Sequence, residues 1–282
     1  MEALKRSGFR ATMENAEITS EAFPMIANYH THTFRCHHAS GTDEDYVRAA
    51  IENGVRILGF SDHGCMIGPD YLKPDMRMRP ELLPDYIYCL RKLREKYADQ
   101  IEMHIGLEIE YYPEIFDDLI AFYRRNGLEY VLLGQHWIGK ENTPGEGYRC
   151  FVPTDSEENL RVYTDTVIKG METGLFTYLN HPDVIWYTGP DEIFEKYMRK
   201  IARRAKELGM VVEMNLHGLR GGRNYPDPRF FKIAGEEHCK VIIALDAHDP
   251  HEFYEHENEE KGLEMARKFG LELVETVDIV RL

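Results

Sequence analysis

A chain of 282 residues with 43% hydrophobic content can bury one barrel-sized core, and no Pro/Gly/Ser-rich linker, internal repeat or low-complexity tract divides it. The formal net charge of -15 excludes a general nucleic-acid binder, which needs a basic face to displace counterions, but not a phosphate substrate, because divalent metals reverse the field locally. Strand-sized apolar runs exclude a helical membrane span. The N-terminus lacks the apolar core of a secretory signal, and five scattered cysteines without a Cys-x-x-Cys pair exclude a disulfide framework, so a cytoplasmic location is expected.

In chain order, apolar runs predict strands over Ile26–His30, Arg56–Ser61, Ile101–Glu108, Tyr130–Gln135, Thr177–His181, Met210–Asn215 and Val241–Leu245. Amphipathic helices are predicted between and after them near Asp43–Asn53, Glu81–Tyr97, Glu114–Asn126, Ser156–Thr173, Asp191–Leu208, Pro228–Glu237 and Asn258–Phe269. Thr42 with Asp45 reads as a capping box, Pro190 as a helix start, and Gly54, Gly127, Gly174, Gly209 and Gly270 as helix ends. Seven βα units result. They could form an open sheet or a closed barrel, and the placement of polar residues chooses between the two.

Six of the seven strands carry a candidate metal ligand at or just past the C-terminal end: His30 and His32 with His38, then His63, Glu108, His136, His181, and Asp246 with His248. Only a closed ring brings so many strand ends around one point, so an α/β barrel with its site at that mouth is expected. His30 and His32 alternate onto one strand face and can grip a single ion. Nine ligands exceed the needs of one ion and suit two or three, bridged by a carboxylate and a hydroxide, an arrangement that polarises a phosphoryl group and generates a nucleophile. Neither Gly-x-Gly-x-x-Gly nor a phosphate-loop Gly-Lys-Ser/Thr is present. Cys36 and Cys65, beside the histidines, read as small buried packing residues, with ligation the alternative. His104 lies inside a strand and reads as a core or barrel-wall residue; His238, His251 and His256 read as surface residues, His251 also as a mouth residue.

Tyr-His-Thr-His-Thr at 29–33, Cys-His-His-Ala-Ser-Gly at 36–41, Gly-Phe-Ser-Asp-His-Gly at 59–64, Gly-Leu-Glu at 106–108, Gly-Gln-His at 134–136, Asn-His-Pro-Asp at 180–183 and Leu-Asp-Ala-His at 245–248 jointly resemble the polymerase and histidinol phosphatase (PHP) superfamily, specifically its monofunctional histidinol-phosphate phosphatases. The resemblance runs from Asn28 to the C-terminus, leaving residues 1–24 as an N-terminal extension and 25–282 as the catalytic domain. It implies a distorted (β/α)7 barrel and zinc, iron or manganese ions: one among His30, His32, Glu108 and Asp246, a second among Glu108, His136 and His181, a third among His38, His63 and His248, with Glu108 and a hydroxide bridging the first two. Family spacing favours His38 over His37, which becomes a rim residue. Asp62 is expected behind the ligands, moving protons or orienting His63, with a mere strand-end cap as the alternative.

The sixth strand offers no metal ligand, so its following loop is free to touch substrate. Arg220 among glycines is expected to hold phosphate, with Arg223 second. Glu213 or Asn215 is expected to meet a cationic group of the substrate or to orient a ligand histidine, and His217 to shape the pocket. The family's second basic residue after the fifth strand is replaced here by Val184-Ile185-Trp186-Tyr187, and His217 stands where a smaller residue is expected. The loop from Gly139 to Thr154 is a lid or a surface excursion. The implied activity is hydrolysis of L-histidinol phosphate to L-histidinol and phosphate in histidine biosynthesis. The alternatives are another small phosphoester, such as a nucleotide or sugar phosphate, or a catalytically dead binding module, against which the intact set of nine ligand positions speaks.

Overall fold

The computed structural model describes residues 25–67, 76–141 and 146–282. The expected N-terminal extension, residues 1–24, lies outside them, as does part of the 139–154 loop. Strands β1 (Ala27–Asn28), β2 (Ile57–His63), β3 (Glu102–Ile109) and β4 (Tyr130–Leu133) are followed by a hairpin, β5 (Trp137–Gly139) and β6 (Gly147–Arg149). Then come β7 (Phe176–Leu179), β8 (Val212–Asn215), β9 (Lys240–Ala244) and β10 (Glu272–Leu273). The helices are α1 (Asp43–Glu52), α2 (Leu83–Lys96), α3 (Phe116–Asn126), α4 (Glu157–Glu172), α5 (Asp191–Leu208), α6 (Leu216–Arg220), α7 (Pro228–Glu236) and α8 (His256–Phe269). The main sheet runs β1-β2-β3-β4-β7-β8-β9-β10, with every neighbour parallel.

This is the expected seven-stranded barrel with one short strand added. Past β1 the chain reaches Thr31, which pairs in parallel with Ala247 just beyond β9; His32 N donates to Ala247 O at 2.8 Å and Ala247 N to His30 O at 3.1 Å. First and seventh strands therefore meet at the C-terminal mouth. Asn28 fastens the seam, its side-chain oxygen accepting from Leu245 N (2.9 Å) and its amide donating to His30 O and Thr31 Oγ1. Lower down, β10 pairs with Lys240 and Val241 of β9. Two residues give no periodic signal, so β10 has no sequence signature.

Tyr29 and Tyr178 have ring centroids 6.4 Å apart although their strands are not neighbours in the sheet, so they meet across the barrel interior. With Tyr130, Leu132 and Ile242 they form an apolar floor, backed by Val277 and Ile279 of the C-terminal tail. Tyr130 fits because Gly106 lies against it: a Cβ there would come within 2.4 Å of its ring. The larger core lies between the sheet and the outer helices. Thr42 and Asp45 form the expected capping box, and Gly127, Gly209 and Gly270 end their helices in the left-handed conformation. The helix expected from Glu81 begins instead as a 3-10 turn over Pro80–Leu82, because a proline at Pro84 leaves no N–H to donate within the first α turn. No helix of the described residues is long and apolar enough to cross a membrane.

Candidate metal centre and substrate cavity

The strand ends deliver the nine predicted ligand residues to one basin. Among the described residues five groups have donor atoms that all lie within 4.8 Å of one another. His30, His32 and Asp246; Glu108, His136 and His181; and His38, His63 and His248 follow the expected sets, the first without Glu108, while His32, His63 and Glu108, and His32, Cys36 and His248, cut across them. Glu108, on β3, faces two ways. Its Oε1 lies 2.8 Å from His181 Nε2 and 3.4 Å from His136 Nε2, while Oε2 lies 3.0 Å from His63 Nδ1 and 3.5 Å from His30 Nε2. Gly134 makes room for this carboxylate, since a Cβ there would sit 2.0 Å from Oε1. Asp246 and His181 are held at positive φ, 49° and 21°, so the backbone carries strain where these ligands turn inward.

Whether the residues fit a cation is decided by proton positions. His38 Nδ1 lies 2.8 Å from Cys36 O and His248 Nδ1 lies 2.9 Å from Asp246 O; a carbonyl only accepts, so each ring carries its proton on Nδ1. The Nε2 lone pairs of the two rings then face each other at 3.1 Å. Burial, reinforced by the neighbouring charge of His32, holds the pKa of both below the ordinary histidine range, so a bridging proton is disfavoured. A cation relieves the repulsion. Buried polar atoms crowd together without hydrogen-bond geometry, Glu108 Oε2 at 3.0 Å from His63 Nδ1 and Asp246 Oδ1 at 2.9 Å from His32 Nε2, which is the further mark of a ligand set. On the other side of the basin burial opposes a charge on His30, but Asp246, Glu213 and Glu108 outweigh it and raise its pKa to about 10.

Behind the ligands lies a layer of supporting polar residues, which corrects the role of Asp62 and decides between the two roles open to Glu213 and Asn215. Asp62 is fully buried, accepts from Thr33 Oγ1 and from His63 N, and lies 3.4 Å from His32 Nδ1; it orients His32 instead of the His63 ring and is shut off from any substrate. Glu213 and Asn215 are not pocket residues either. Glu213 Oε1 holds His30 Nδ1 at 2.7 Å and Oε2 accepts from His181 N, whereas Asn215 donates to Glu213 and Asp246 and caps α6. Both are solvent-excluded: Glu213 fixes the tautomer of His30, and Asn215 holds the carboxylates of Glu213 and Asp246 in place.

Sequence reasoning missed an equivalent on the opposite side, where Glu110 holds His136 Nδ1 at 2.8 Å and is itself held by the buried Arg77, which also pairs with Glu141. Its signal was the spacing Glu108-x-Glu110, which keeps both carboxylates on one side of an extended chain.

A cavity of about 350 Å³ opens above the cluster. The cluster forms its base; Trp137, Phe151 and Tyr225 give aromatic walls, and His217, Arg149 and Arg223 give polar ones. Burial pushes the His217 pKa down to about 4, with Arg223 and Arg220 adding to the effect, so its ring is neutral near pH 7 and lies 4.7 Å from that of His248. The expected order of the two arginines is reversed. Arg220 pairs with Glu252 at 3.2 Å and Glu255 at 2.7 Å and does not line the cavity, because the α6 turn, unseen in the sequence, carries it away; Arg223 does line it. His37 is an exposed rim residue, His104 pairs with Glu102 from within β3, and Cys65 is a buried packing residue whose thiol burial pushes up to about 12. Cys36 Sγ reaches the donor atoms of His32 and His248 and donates to Thr33 O at 3.1 Å. His238 and His251 sit away from the cluster, as does the exposed His256. The 139–154 loop carries β6, which pairs back on β5 and places Arg149 at the cavity.

A parallel barrel with histidines and carboxylates converging at its C-terminal mouth has the architecture of a metal-dependent hydrolase. Residues 28–217 match the PHP domain, and the chain belongs to that family. A probable histidinol-phosphatase of Deinococcus radiodurans is 26% identical over 239 residues, covering 80% of this chain and 88% of the relative. The histidinol-phosphatase of Bacillus subtilis is 27% identical over 251 residues, covering 78% and 92%. A probable phosphatase of Acetivibrio thermocellus is 26% identical over 227 residues, covering 79% and 80%. In fold, the chain resembles the histidinol phosphate phosphatase of Lactococcus lactis, solved with zinc, L-histidinol and phosphate, at a TM-score of 0.68 and 16% identity, covering 90% of this chain and 99% of that one.

Proposed function

We propose that this protein hydrolyses a small phosphomonoester, L-histidinol phosphate, to the free alcohol and phosphate, using two or three divalent ions held by the three ligand groups. The carrying observation is the pair of Nε2 lone pairs facing each other at 3.1 Å between His38 and His248, in a basin where Glu108 turns one oxygen to each of two ligand groups. Divalent ions bound there supply Lewis-acid polarisation of the phosphoryl group and lower the pKa of an attacking water. The chain's own residues prepare the site. Glu213, Glu110 and Asp62 fix the rings of His30, His136 and His32, Asn180 donates to Glu108 Oε1 at 3.1 Å, and the aromatic walls limit water around the leaving group. Relatives named histidinol-phosphatase over most of their length support the substrate.

A second reading, another small phosphoester, draws on one observation. Among the described cavity residues the single carboxylate is Asp246, already committed to His30 and His32, so none remains to pair with a substrate ammonium. Phosphate release from histidinol phosphate, a nucleotide monophosphate and a sugar phosphate, under matched metal loading, separates the two.

A further inference from the structure

In a chain with 49 acidic and 34 basic residues most arginines find a carboxylate, and Arg35, Arg77, Arg199 and Arg220 each pair with at least two. The two arginines that line the cavity, Arg149 on β6 and Arg223 after α6, have no carboxylate partner among the described residues. They come from two separate connections, the hairpin after β4 and the segment after α6, and converge on one ring: their guanidinium carbons lie 5.4 and 5.6 Å from the centroid of Phe151. Phe151 in turn stacks on the ligand His136 at 5.6 Å and 26°. The aromatic ring is thus a spacer that holds two cations one ring away from the metal cluster, and cation–π attraction favours both arginines at that height. Tyr225 Oη lies 3.2 Å from Arg223 Nη1 and steadies the second.

We propose that Arg149 and Arg223 form a two-guanidinium clamp for the phosphoryl oxygens that point away from the metal cluster. The clamp makes Arg149, which lies in a different part of the chain from the loop after the sixth strand, a specificity-determining residue for monoester dianions. A monoester presents three non-bridging oxygens sharing two charges, enough to face the ions below and two planar forks above. A diester has lost one of these oxygens and one charge, so it gains little from the upper contacts. The clamp rests on the phosphoesterase reading of the site but not on the identity of the alcohol, since it touches only phosphate.

The test uses the Mn2+-loaded full chain as wild type, Arg149→Ala, Arg149→Lys, Arg223→Ala and, as a contrast, Arg220→Ala. Inorganic phosphate binding is measured by calorimetry, kcat/KM on p-nitrophenyl phosphate and bis-p-nitrophenyl phosphate by absorbance, and metal content by elemental analysis. Arg149→Ala is expected to weaken phosphate binding about 10-fold and to lower monoester kcat/KM roughly 30-fold, with the diester changed less than about 3-fold and metal content unaltered. The lysine variant recovers part of the loss, Arg223→Ala behaves like Arg149→Ala, and Arg220→Ala stays near wild type. Phosphate affinity within about twofold of wild type in Arg149→Ala, or an equal loss on both esters, overturns the clamp. If the wild type cleaves no monoester, the proposed function falls while the calorimetry still judges the clamp; absence of phosphate binding to the wild type overturns it.

Discussion

At the scale of single residues, Glu108 and Glu213 carry the most consequence. Because Glu108 Oε1 faces His181 at 2.8 Å while Oε2 faces His30 at 3.5 Å as well as His63 at 3.0 Å, Glu108→Ala should empty the two positions that its oxygens join, and the position among His38, His63 and His248, which keeps three histidines, should stay at least partly filled. Elemental analysis after gel filtration checks this; loss of a single ion would show that Glu108 does not bridge. Glu213→Gln keeps the shape but exchanges a carboxylate for an amide beside His30 Nδ1, and metal affinity should fall about 10- to 100-fold, read by competition with a chelator. Unchanged affinity would reduce Glu213 to packing. The ligand residues were legible in the sequence because each follows an apolar run, and an apolar run in a barrel ends at the mouth. The supporting residues were not. A polar side chain in front of a ligand and one behind it look alike in sequence, which is why Glu213 and Asn215 read equally as substrate-facing or ligand-orienting, and Asp62 as moving protons or orienting His63, although all three are solvent-excluded.

At the scale of elements, the long periodic segments were legible and the short ones were not. All seven long helices and seven barrel strands fall where the apolar pattern put them, with ends shifted by a few residues. The hairpin β5–β6, at three residues a strand, and the five-residue α6 carry too few positions to express a period. Yet these two elements decide which arginines meet the cavity. The outer helices are tied by side-chain clamps whose effect depends on pH. Glu44 of α1 accepts from Lys96 Nζ of α2 at 2.7 Å, from Tyr97 Oη and from Arg48, and these bonds lower its pKa to about 2. A carboxyl whose folded pKa lies below its unfolded value stabilises the fold fully above the unfolded value, near 4.5, and the contribution is lost as pH falls towards 2. Glu44→Gln should therefore be less stable than wild type in urea at pH 7, with the gap narrowing below about pH 4.5 and shrinking in high salt, since the group is exposed. A gap that persists unchanged to pH 3 would mean that the carboxylate charge is not its source.

At the scale of the whole molecule, the barrel is closed at two ends by different means. The mouth is sealed by the Thr31–Ala247 bridge and Asn28, which brings ligands from both ends of the chain into one basin. The opposite end is sealed by the tail, where Val277 and Ile279 pack on the tyrosine floor, Val280 N donates to Thr177 Oγ1 and Leu282 N to Glu129 O. Deleting residues 275–282 uncovers that floor and should lower stability by roughly 3 kcal/mol in urea titration, more than any loss of surface charge would; an unchanged midpoint would make the tail a bystander. The central claim is that this closed, acidic barrel organises metal ions for phosphomonoester hydrolysis, with histidinol phosphate as the substrate. It is tested most directly by kcat/KM on histidinol phosphate beside a nucleotide monophosphate, a sugar phosphate and an aryl phosphate, at matched metal loading and with a chelated control. The expected result is a preference for histidinol phosphate of at least about 10-fold, abolished by the chelator. A clear preference for another monoester would contradict the assigned substrate, and full activity after complete metal removal would contradict the site itself.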